Sequence, residues 1–439
     1  MNLSNNLIVY KSKLLRQMPV VPSLIIEKNE VFYYIYFLAE PVKHHWKIEE
    51  TRLPFQENEN LKIIKDTGKI YYEEEILKLK QLRKWEDYVS FTPDPLATEL
   101  VASTIIANLL EDGKVWLTLI GRPSSGKTWT VQRFSSLEEH KFIYYVGKFS
   151  SAALFSAHAA ESSIINQVKK GGTIIFRDAS SFFARGLGNY VKVMHMLREI
   201  YDDRYEDRIY KSVYRWFGKI GIIICATPII HRHKKYMQQI GDRYQYYRMN
   251  NQESVKLQEK DIGEYIICEC YDKMLNEKGE LRRVDSFYFP EIIDELAVLS
   301  ETVKTAIPIK YRTTREYVIQ PASHYRTLHQ LKSLAAGMAI FEGVDYISEE
   351  ILKKLKILTI SNSIERYYHI LNCLFIDKIK NIEAIRKTYP LSGKIFTIAI
   401  SDLRDLGVIE IMQNEIIPGK IFENIYYLGE KDGKSNASL

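Results

Sequence analysis

The sequence predicts an α/β fold for residues 86–284 of this 439-residue chain, because three short apolar runs lie there. The runs "VWLTLI", "TIIF" and "IGIIICA" are nearly continuously apolar, as the buried strands of a parallel sheet are. Each run is followed by a glycine or a polar residue, and segments with helical spacing lie between the runs. Since the chain is too long for one ordinary core, we expect two or three domains.

Composition and charge limit the classes of protein and partner. The hydrophobic content of 46% indicates a globular chain, and the net charge of +6 is compatible with a polyanionic partner. No apolar run approaches the roughly 20 residues that a membrane-spanning helix needs, and the first residues lack a signal-peptide core. We therefore expect a cytoplasmic protein without membrane association. The four cysteines lack metal-ligand spacing, and Cys268 and Cys270 lie in a strand-like run, "EYIICEC".

The first part of the chain, residues 1–85, mixes strand-like runs such as "VFYYIYFLAEP" with charged connectors. It predicts a small N-terminal α+β domain, rich in β-strand, and a charged helical stretch, "YEEEILKLKQLRKW". The segment "TPDPLATELVASTIIANLLEDG" then predicts a helix that opens the next domain, with prolines near its start and Gly113 after its end.

The loop "GRPSSGKT" follows the first apolar run and matches the pattern G-x-x-x-x-G-K-[ST]. Such a loop lets backbone N–H groups and a helix N-terminus surround phosphate oxygens, here from Gly121, Ser125 and Gly126. Lys127 would bridge the β- and γ-phosphates, and the Thr128 hydroxyl would bind Mg²⁺. The alternative is a glycine-rich turn with a chance lysine. The strand before the loop and the helix after it favour ATP and Mg²⁺ as cofactors.

A carboxylate follows the second apolar run, where "TIIF" is succeeded by Arg177 and Asp178. Asp178 would lie at the carboxyl end of a strand and act as the acid on the metal side of the site. Its alternative role is to cap the next helix. The glutamate that usually follows such an acid is missing, because residue 179 is alanine. Glu199 and Asp202 are the nearest carboxylates that could polarise the attacking water.

The third apolar run ends at Thr227, which precedes Pro228. A threonine at the end of a strand can form a hydrogen bond to the attacking water or to the γ-phosphate. It can equally be a simple turn residue before proline. Both interpretations of Thr227 remain open on the sequence.

The order of these motifs resembles AAA+ ATPases, and most closely the mobile-element helicases related to the minichromosome maintenance (MCM) group. The resemblance covers residues 85–430. It includes "LREIYDDRYE", a W-x-G-K-(I/V)-G segment at Trp216–Gly221 and a G-(E/D)-R-(F/Y)-x-x-Y-R box at Gly241–Arg248. The segment "HYRTLHQLKSLAAGMAIFEGVDYISEE" is similar to the lid of that family and carries its R-x-x-x-Q-L-x-x-L-A pattern.

The resemblance implies a homo-hexamer that holds ATP between neighbouring subunits, with an ATPase core at 86–284 and a helical lid at 285–363. Arg243 would then reach the γ-phosphate of the neighbour, with Arg248 as the substitute candidate. Arg326 falls where the family has its lid arginine and would be a second γ-phosphate sensor. A guanidinium stabilises the charge that spreads over the phosphoryl oxygens during transfer.

The segment from Arg204 to Lys219 is basic and rich in aromatic residues. Its stretch "RIYKSVYRW" predicts a short hairpin with Lys211 near the tip. In MCM-like helicases the corresponding insertion projects into the pore of the ring. The resemblance therefore implies that Lys211 binds DNA phosphates, with Arg208 and Arg215 as flanking contacts. A solvated amphipathic hairpin is the alternative.

The last part, residues 364–430, predicts a winged helix-turn-helix. Three stretches have helical spacing, "SIERYYHILNCLFIDKIK", "NIEAIRKTYP" and "SGKIFTIAISDLRDLG", and two strand-like runs follow, "VIEIMQ" and "IFENIYYL". The third helix of such a domain usually enters the major groove, where Ser392, Lys394 and Thr397 would begin it and Lys420 would lie in the wing. Winged helices also bind proteins. Residues 431–439 are polar and are expected to be disordered.

These features lead to one hypothesis and two alternatives. The leading hypothesis is an ATP-dependent hexameric helicase or translocase that acts on single- or double-stranded DNA in the replication of a virus, plasmid or integrated element. One alternative is an ATP-dependent initiator or regulator that binds an origin without processive unwinding. The other is an AAA+ remodeller of proteins.

Overall fold

The computed structural model describes most of the chain from residue 92 onwards, and the backbone of five short strands before it. The described ranges are 92–147, 154, 163–168, 170–184, 187–209, 212–233, 242–249, 261–305, 308–311, 314–317 and 324–429. The predicted charged helix "YEEEILKLKQLRKW", Lys211 and the predicted disordered tail lie outside the described residues.

The strands are short and fall into one large sheet and several small ones. In chain order they are β1 (Leu7–Ser12), β2 (Leu24–Lys28), β3 (Val31–Phe37), β4 (Ile63–Ile64), β5 (Lys69–Ile70), β6 (Trp116–Ile120), β7 (Ile143–Val146), β8 (Lys170–Phe176), β9 (Arg204–Ile209), β10 (Ser212–Phe217), β11 (Lys219–Ala226), β12 (Gln245–Arg248), β13 (Pro308–Tyr311), β14 (Thr314–Tyr317), β15 (Ile409–Met412) and β16 (Glu415–Pro418).

The α-helices lie between and after the strands of the large sheet. In chain order they are α1 (Pro95–Leu109), α2 (Lys127–Gln132), α3 (Ser136–Glu139), α4 (Ile164–Gln167), α5 (Ser180–Phe183), α6 (Leu187–Tyr201), α7 (Ile262–Tyr265), α8 (Ile292–Thr305), α9 (His324–Glu342), α10 (Glu349–Ser361), α11 (Glu365–Leu371), α12 (Ile382–Thr388), α13 (Gly393–Asp405) and α14 (Glu423–Tyr427). Among the described helices, none is both long and apolar enough to cross a bilayer.

The large sheet is parallel and has five strands in the order β12-β6-β11-β8-β7. Alternate residues of each strand enter two separate cores, so that Leu117 and Leu119 face α1 and the later helices while Trp116 and Ile120 face α5 and α6. Because helices cover both faces, the strands read as continuous apolar runs. The predicted α/β class with a parallel sheet is confirmed, and the carboxyl ends of its strands share one edge.

Three strands near the N-terminus form an antiparallel sheet in the order β1-β3-β2. A two-stranded pair, β4 with β5, follows it in the chain. The strand predicted from "VFYYIYFLAEP" is confirmed as β3.

The helix α1 packs against both the sheet and α9, and this explains why almost every residue in it is buried. The Asp94 side chain accepts a hydrogen bond from the N–H of Ala97 at 3.0 Å, and Pro95 occupies the first turn, as the sequence predicted. Gly337 lies where α9 crosses α1. A β-carbon at Gly337 would lie 2.2 Å from the Ser103 carbonyl oxygen, so the close approach of the two helices requires glycine.

A buried carboxylate joins α1 to the later helices. Glu99 is 2% exposed, and Lys354 donates hydrogen bonds to both Glu99 Oε1 at 2.6 Å and Glu342 Oε1 at 2.7 Å. Burial raises the pKa of Glu99 to about 8, although the Lys354 ammonium acts in the opposite direction. The neighbouring Glu342 carboxylate raises it further.

We expect Glu99→Gln to flatten the dependence of stability on pH. The folded-state pKa of Glu99 lies above its unfolded value of about 4.3. Its protonated form therefore contributes stability that is complete below the unfolded value and is lost as the pH rises through about 8. Thermal unfolding can be measured at about one-unit steps from about pH 5 to about pH 9. The midpoint temperature should fall with rising pH in the wild type and should change less in Glu99→Gln. Glu139→Gln, an exposed control, should follow the wild type; identical profiles for all three chains would contradict this assignment.

Two predicted strands are helices. The run "EYIICEC" forms the end of α7 and a π-helical turn, Ile266–Cys270, because its buried residues recur at helical spacing: Tyr265, Ile266 and Cys270. The run "IFENIYYL" forms a 3₁₀ turn and α14, for the same reason, with Phe422, Ile425 and Tyr426 buried.

The second strand of the predicted wing is β16, which pairs with β15. The two residues between them, Gln413 and Asn414, both have positive φ, so the chain reverses there and pairing resumes at Glu415. The segment 285–363, predicted to be mostly helical, also contains an antiparallel pair, β13 with β14.

Candidate functional site

The predicted phosphate loop connects β6 to α2 at the carboxyl edge of the large sheet. Gly126 has φ of 85° and a β-carbon there would lie within 3.0 Å of Pro93, so this position requires glycine. The N–H of Gly121 donates to the Ala226 carbonyl at 3.2 Å, which ties the loop to the end of the neighbouring strand. The strand, loop and helix expected from the sequence therefore occur in that order.

Lys127 folds back over this loop. Its ammonium donates to the carbonyl oxygens of Gly121 at 2.8 Å and Arg122 at 2.7 Å, and to Ser125 Oγ at 3.1 Å. Burial lowers the pKa of Lys127, while the Cys225 thiol and the Asp178 carboxyl act to raise it. The three partners are neutral oxygens. An anionic phosphate oxygen would make a stronger, charge-assisted bond at the same place.

Asp178 and Thr128 meet where β8 ends. The Thr128 hydroxyl donates to the Arg177 carbonyl at 3.2 Å, and the Asp178 Oδ1 accepts the N–H of Ser180 at 2.9 Å. Asp178 is not the N-cap of α5, which is Ala179; its contact with Ser180 uses one oxygen of an exposed carboxylate. The Arg177 guanidinium lies 5.3 Å from the centre of the Tyr145 ring. Lys127, Thr128 and Asp178 are therefore neighbours, as predicted.

The donor set of this edge fits a magnesium ion. The Thr128 hydroxyl and the Asp178 carboxylate are oxygen ligands, which Mg²⁺ prefers, and the ion usually completes its shell with water and phosphate oxygens. Within the described ranges no group of three or more His, Cys, Asp or Glu side chains is arranged to hold a metal by itself. A nucleotide would thus have to supply ligands together with these two side chains.

Ser180 connects the ends of β8 and β11. Its hydroxyl accepts the N–H of Thr227 at 3.0 Å, and the N–H of the adjacent Ala179 donates to the Cys225 carbonyl at 2.9 Å. The Thr227 carbonyl accepts from Ile230 and begins a 3₁₀ turn, so its turn role is confirmed. Its role as a sensor stays a prediction.

The two predicted arginines lie together at the opposite, amino edge of the sheet. The Arg243 guanidinium is 5% exposed and pairs with Asp202 at 3.2 Å. Arg243 and Arg326 lie 5.5 Å and 5.7 Å from the centre of the Tyr201 ring. Gln330 fixes this edge, because its amide donates to the Arg243 carbonyl at 2.9 Å and accepts the N–H of Trp116 at 3.3 Å.

The arginine pair and the phosphate loop are separated by the length of β6. Trp116 and Gly121 are five residues apart, which is roughly 16 Å of extended strand. The loop follows the carboxyl end of β6 and the arginines lie beside its amino end. In one chain the two groups cannot contact the same phosphate.

The substitute base proposed from the sequence is not brought to the phosphate loop. Asp202 pairs with Arg243 at the amino edge, and Glu199 lies in the last turn of the same helix, α6, which ends there. Lys114, two residues before β6, donates a hydrogen bond to the Tyr201 carbonyl at 2.8 Å, so the end of α6 lies beside the amino end of β6. The assignment of Glu199 or Asp202 as the water-polarising base of its own chain is therefore wrong.

Arg248 is held by contacts within its own chain, as Arg243 is, and its role as a substitute for Arg243 stays a prediction. Its guanidinium donates to the Ser363 carbonyl at 2.7 Å, contacts His231 Nε2 at 3.0 Å and pairs with Glu365 at 3.3 Å. Tyr368 lies against it, with its ring centre 4.8 Å away. The Arg248 side chain is 11% exposed and lies at the carboxyl end of β12.

The predicted hairpin is confirmed in the backbone and is longer than expected. Its strands β9 and β10 pair from Arg204 with Phe217 to Ile209 with Ser212. Arg215 is well exposed and pairs with Glu206 across the hairpin at 3.0 Å, so DNA would compete with that carboxylate. Lys211 lies outside the described residues, and so does the side chain of Arg208.

The C-terminal segment has three helices, α11, α12 and α13, followed by the β15–β16 hairpin. Ser392 caps α13 by accepting the N–H of Ile395, and Lys394 and Thr397 are exposed in its first turns. Lys420 is exposed after the hairpin. Acidic and basic residues are equally numerous between residues 377 and 423, so this stretch of the sequence carries no net formal charge.

Two contacts of this site were not predicted from the sequence. Ser180 is identified only by its hydrogen bond with Thr227. Tyr201 is identified only by the two arginines that lie over its ring. Tyr201 lies within the quoted stretch "LREIYDD", but nothing in the letters distinguishes it from the other tyrosines of the chain.

No family model matches the sequence, and no curated protein matches it significantly.

Proposed function

We propose that this protein is an ATP-dependent DNA helicase or translocase that works as a homo-oligomer, with ATP and Mg²⁺ as cofactors. The observation that carries the proposal is a site divided into two halves. Lys127, Thr128 and Asp178 lie at the carboxyl edge of the sheet, and Arg243 and Arg326 lie at the amino edge. A second copy of the chain is needed to bring both halves to one phosphate.

The first half supports binding and activation of a triphosphate. The loop N–H groups and the N-terminus of α2 would face the phosphates, and Lys127 would exchange its carbonyl partners for phosphate oxygens. When bound, Mg²⁺ would neutralise charge on the β- and γ-phosphates. Thr128 and Asp178 would hold the ion, and Thr227, fixed by Ser180, would lie where the attacking water enters.

The second half supports hydrolysis between subunits. Two guanidiniums that face one ring form a concentrated positive site, which suits the charge that develops on a transferred phosphoryl group. Their distance from the phosphate loop of the same chain makes a shared site in an oligomer the simplest arrangement. A ring closes such head-to-tail contacts, and we propose a hexamer on the basis of the resemblance to MCM-like AAA+ ATPases.

The hairpin and the C-terminal helices support nucleic acid as the substrate. The β9–β10 hairpin carries a basic and aromatic sequence, and Lys211 would bind DNA phosphates at its turn. Three helices followed by a two-stranded hairpin support the proposal of a winged helix-turn-helix, in which Lys394 and Thr397, at the start of α13, would contact DNA. We propose action in the replication of a virus, plasmid or integrated element.

A second candidate function is an ATP-dependent DNA-binding switch without processive unwinding. The observation that favours it is Ala179, which is buried and replaces the usual glutamate beside Asp178. A site without that carboxylate would hydrolyse ATP slowly and could hold a bound state for longer. The C-terminal segment, which has no net formal charge, would also suit a protein partner better than a basic segment would.

Single-stranded DNA should raise the kcat of ATP hydrolysis several-fold in the wild type, because the proposed motor couples hydrolysis to its contact with DNA. Lys211→Ala should lose this stimulation and keep the basal rate, and the slope of log affinity against log salt should fall by about one. Lys278→Ala removes an exposed lysine elsewhere and should match the wild type. DNA binding without stimulation of hydrolysis in the wild type would favour the switch. A wild type that shows no DNA binding and no stimulation would contradict both functions.

A further inference from the structure

Tyr201 is the last residue of α6 and is 6% exposed. Its ring packs edge-on against Trp116 of β6, with centroids 5.0 Å apart and an interplanar angle of 83°. Three cations lie around the same ring: Arg243 at 5.5 Å, Arg326 at 5.7 Å and Lys114 at 5.1 Å from its centre. Tyr201 is therefore the common neighbour of all three positive side chains.

The arginines come from distant parts of the chain and repel one another. Burial lowers the pKa of Arg243, and the Arg326 guanidinium lowers it further, while Asp202 acts to raise it. Within the described residues, Asp202 pairs with Arg243 and Asp203 pairs with Lys114 at 2.5 Å. The nearby carboxylates therefore offset Arg243 and Lys114 directly, and the Tyr201 ring is the neighbour that both guanidiniums share.

An aromatic face attracts cations through its quadrupole, and a buried ring does so more strongly than an exposed one. Trp116 belongs to the central sheet and Tyr201 packs against it, so the ring is fixed relative to β6. A fixed ring of this kind can attract two guanidiniums that repel each other. An aliphatic side chain could fill the same volume but would not attract them.

We propose that Tyr201 is a positioning residue, which holds Arg243 and Arg326 together so that both reach one phosphate of a nucleotide bound by a second copy of the chain. This inference rests on the proposed function. In the isolated chain the Arg243 guanidinium pairs with the Asp202 carboxylate, and the phosphate of the neighbouring subunit's nucleotide would replace that carboxylate. Tyr201 acts through the arginines and does not touch the nucleotide.

The test compares Tyr201→Leu, which keeps an apolar side chain, with Tyr201→Phe, which keeps the aromatic face. We expect Tyr201→Leu to lower kcat about tenfold to a hundredfold, because small displacements of transition-state groups have effects of that size. Its affinity for a fluorescent ATP analogue should not change, since the phosphate loop lies at the other edge. Tyr201→Phe should keep the wild-type kcat.

Tyr265→Leu serves as the matched control for loss of a buried tyrosine. Tyr265 is 5% exposed, packs edge-on against Phe341 and donates to the Phe341 carbonyl, away from both halves of the site. It should lower the unfolding temperature and leave kcat unchanged. If Tyr201→Leu does not fold, Tyr201→Met takes its place with the same expectation.

The outcomes separate the two proposals. A wild type that binds and hydrolyses ATP, with Tyr201→Leu equally fast, overturns the role of Tyr201 alone. Equal losses in Tyr201→Leu and Tyr201→Phe overturn it as well, because the aromatic face would then not be the feature that matters. A wild type that binds no nucleotide contradicts the proposed function itself.

Discussion

Lys127→Ala is expected to lower the kcat of ATP hydrolysis by about a hundredfold to a thousandfold, because it removes a preorganised positive charge from the phosphates. The ammonium lies at the loop, where it donates hydrogen bonds to Gly121, Arg122 and Ser125. Salt-sensitive DNA binding should remain, since the proposed DNA contacts lie on the hairpin and the C-terminal helices. Steady-state hydrolysis and filter binding on the same preparation measure both.

The control for this change is Lys141→Ala, an exposed lysine on the turn before β7. It should hydrolyse ATP at the wild-type rate. Wild-type hydrolysis in Lys127→Ala would refute the phosphate loop as the nucleotide site. Loss of hydrolysis and of DNA binding together would show instead that the DNA site has been misplaced.

Arg243→Ala is expected to lower kcat by about a thousandfold or more, since an arginine that stabilises the phosphoryl charge from a neighbouring subunit typically contributes that much. The affinity for the nucleotide analogue should change little, because Arg243 lies roughly 16 Å of strand away from the loop of its own chain. Equilibrium binding and hydrolysis assays distinguish these two effects.

Arg243→Lys should rescue little of this loss, because an ammonium cannot replace the planar, bidentate guanidinium. Arg282→Ala is the matched control: Arg282 is a partly buried arginine in a later segment, where it pairs with Asp345 and lies over Phe287. A fall in nucleotide affinity that accounts for the whole effect of Arg243→Ala would place the arginine in its own chain's site and contradict the divided site.

The sequence predicted the parts of the fold that local patterns determine. The three apolar runs, the strand–loop–helix order around "GRPSSGKT" and the helix α1 with prolines near its start were predicted correctly, since strand periodicity, glycine positions and prolines are local signals. The same reasoning brought Lys127, Thr128 and Asp178 together, because carboxyl ends of parallel strands share one edge.

The sequence could not predict the parts that tertiary contacts determine. Arg243 and Arg326 are far apart in the chain, and only the packing of α9 against the start of β6, through Gln330, makes them neighbours. Arg248 was the substitute candidate in the sequence, which did not predict its contacts with Ser363 and Glu365 of a later segment. The run "EYIICEC" is similarly ambiguous, because short apolar runs fit strands and helices alike.

The most direct test of the divided site is to mix two inactive chains, Lys127→Ala and Arg243→Ala. In a mixed oligomer, an Arg243→Ala subunit supplies an intact phosphate loop and a neighbouring Lys127→Ala subunit supplies an intact arginine. Random assembly from equal amounts should make about one quarter of the interfaces complete, so hydrolysis should recover to about one quarter of the wild-type rate. A mixture that co-assembles and stays as inactive as its two components would contradict the claim that one chain's arginine serves the nucleotide of another.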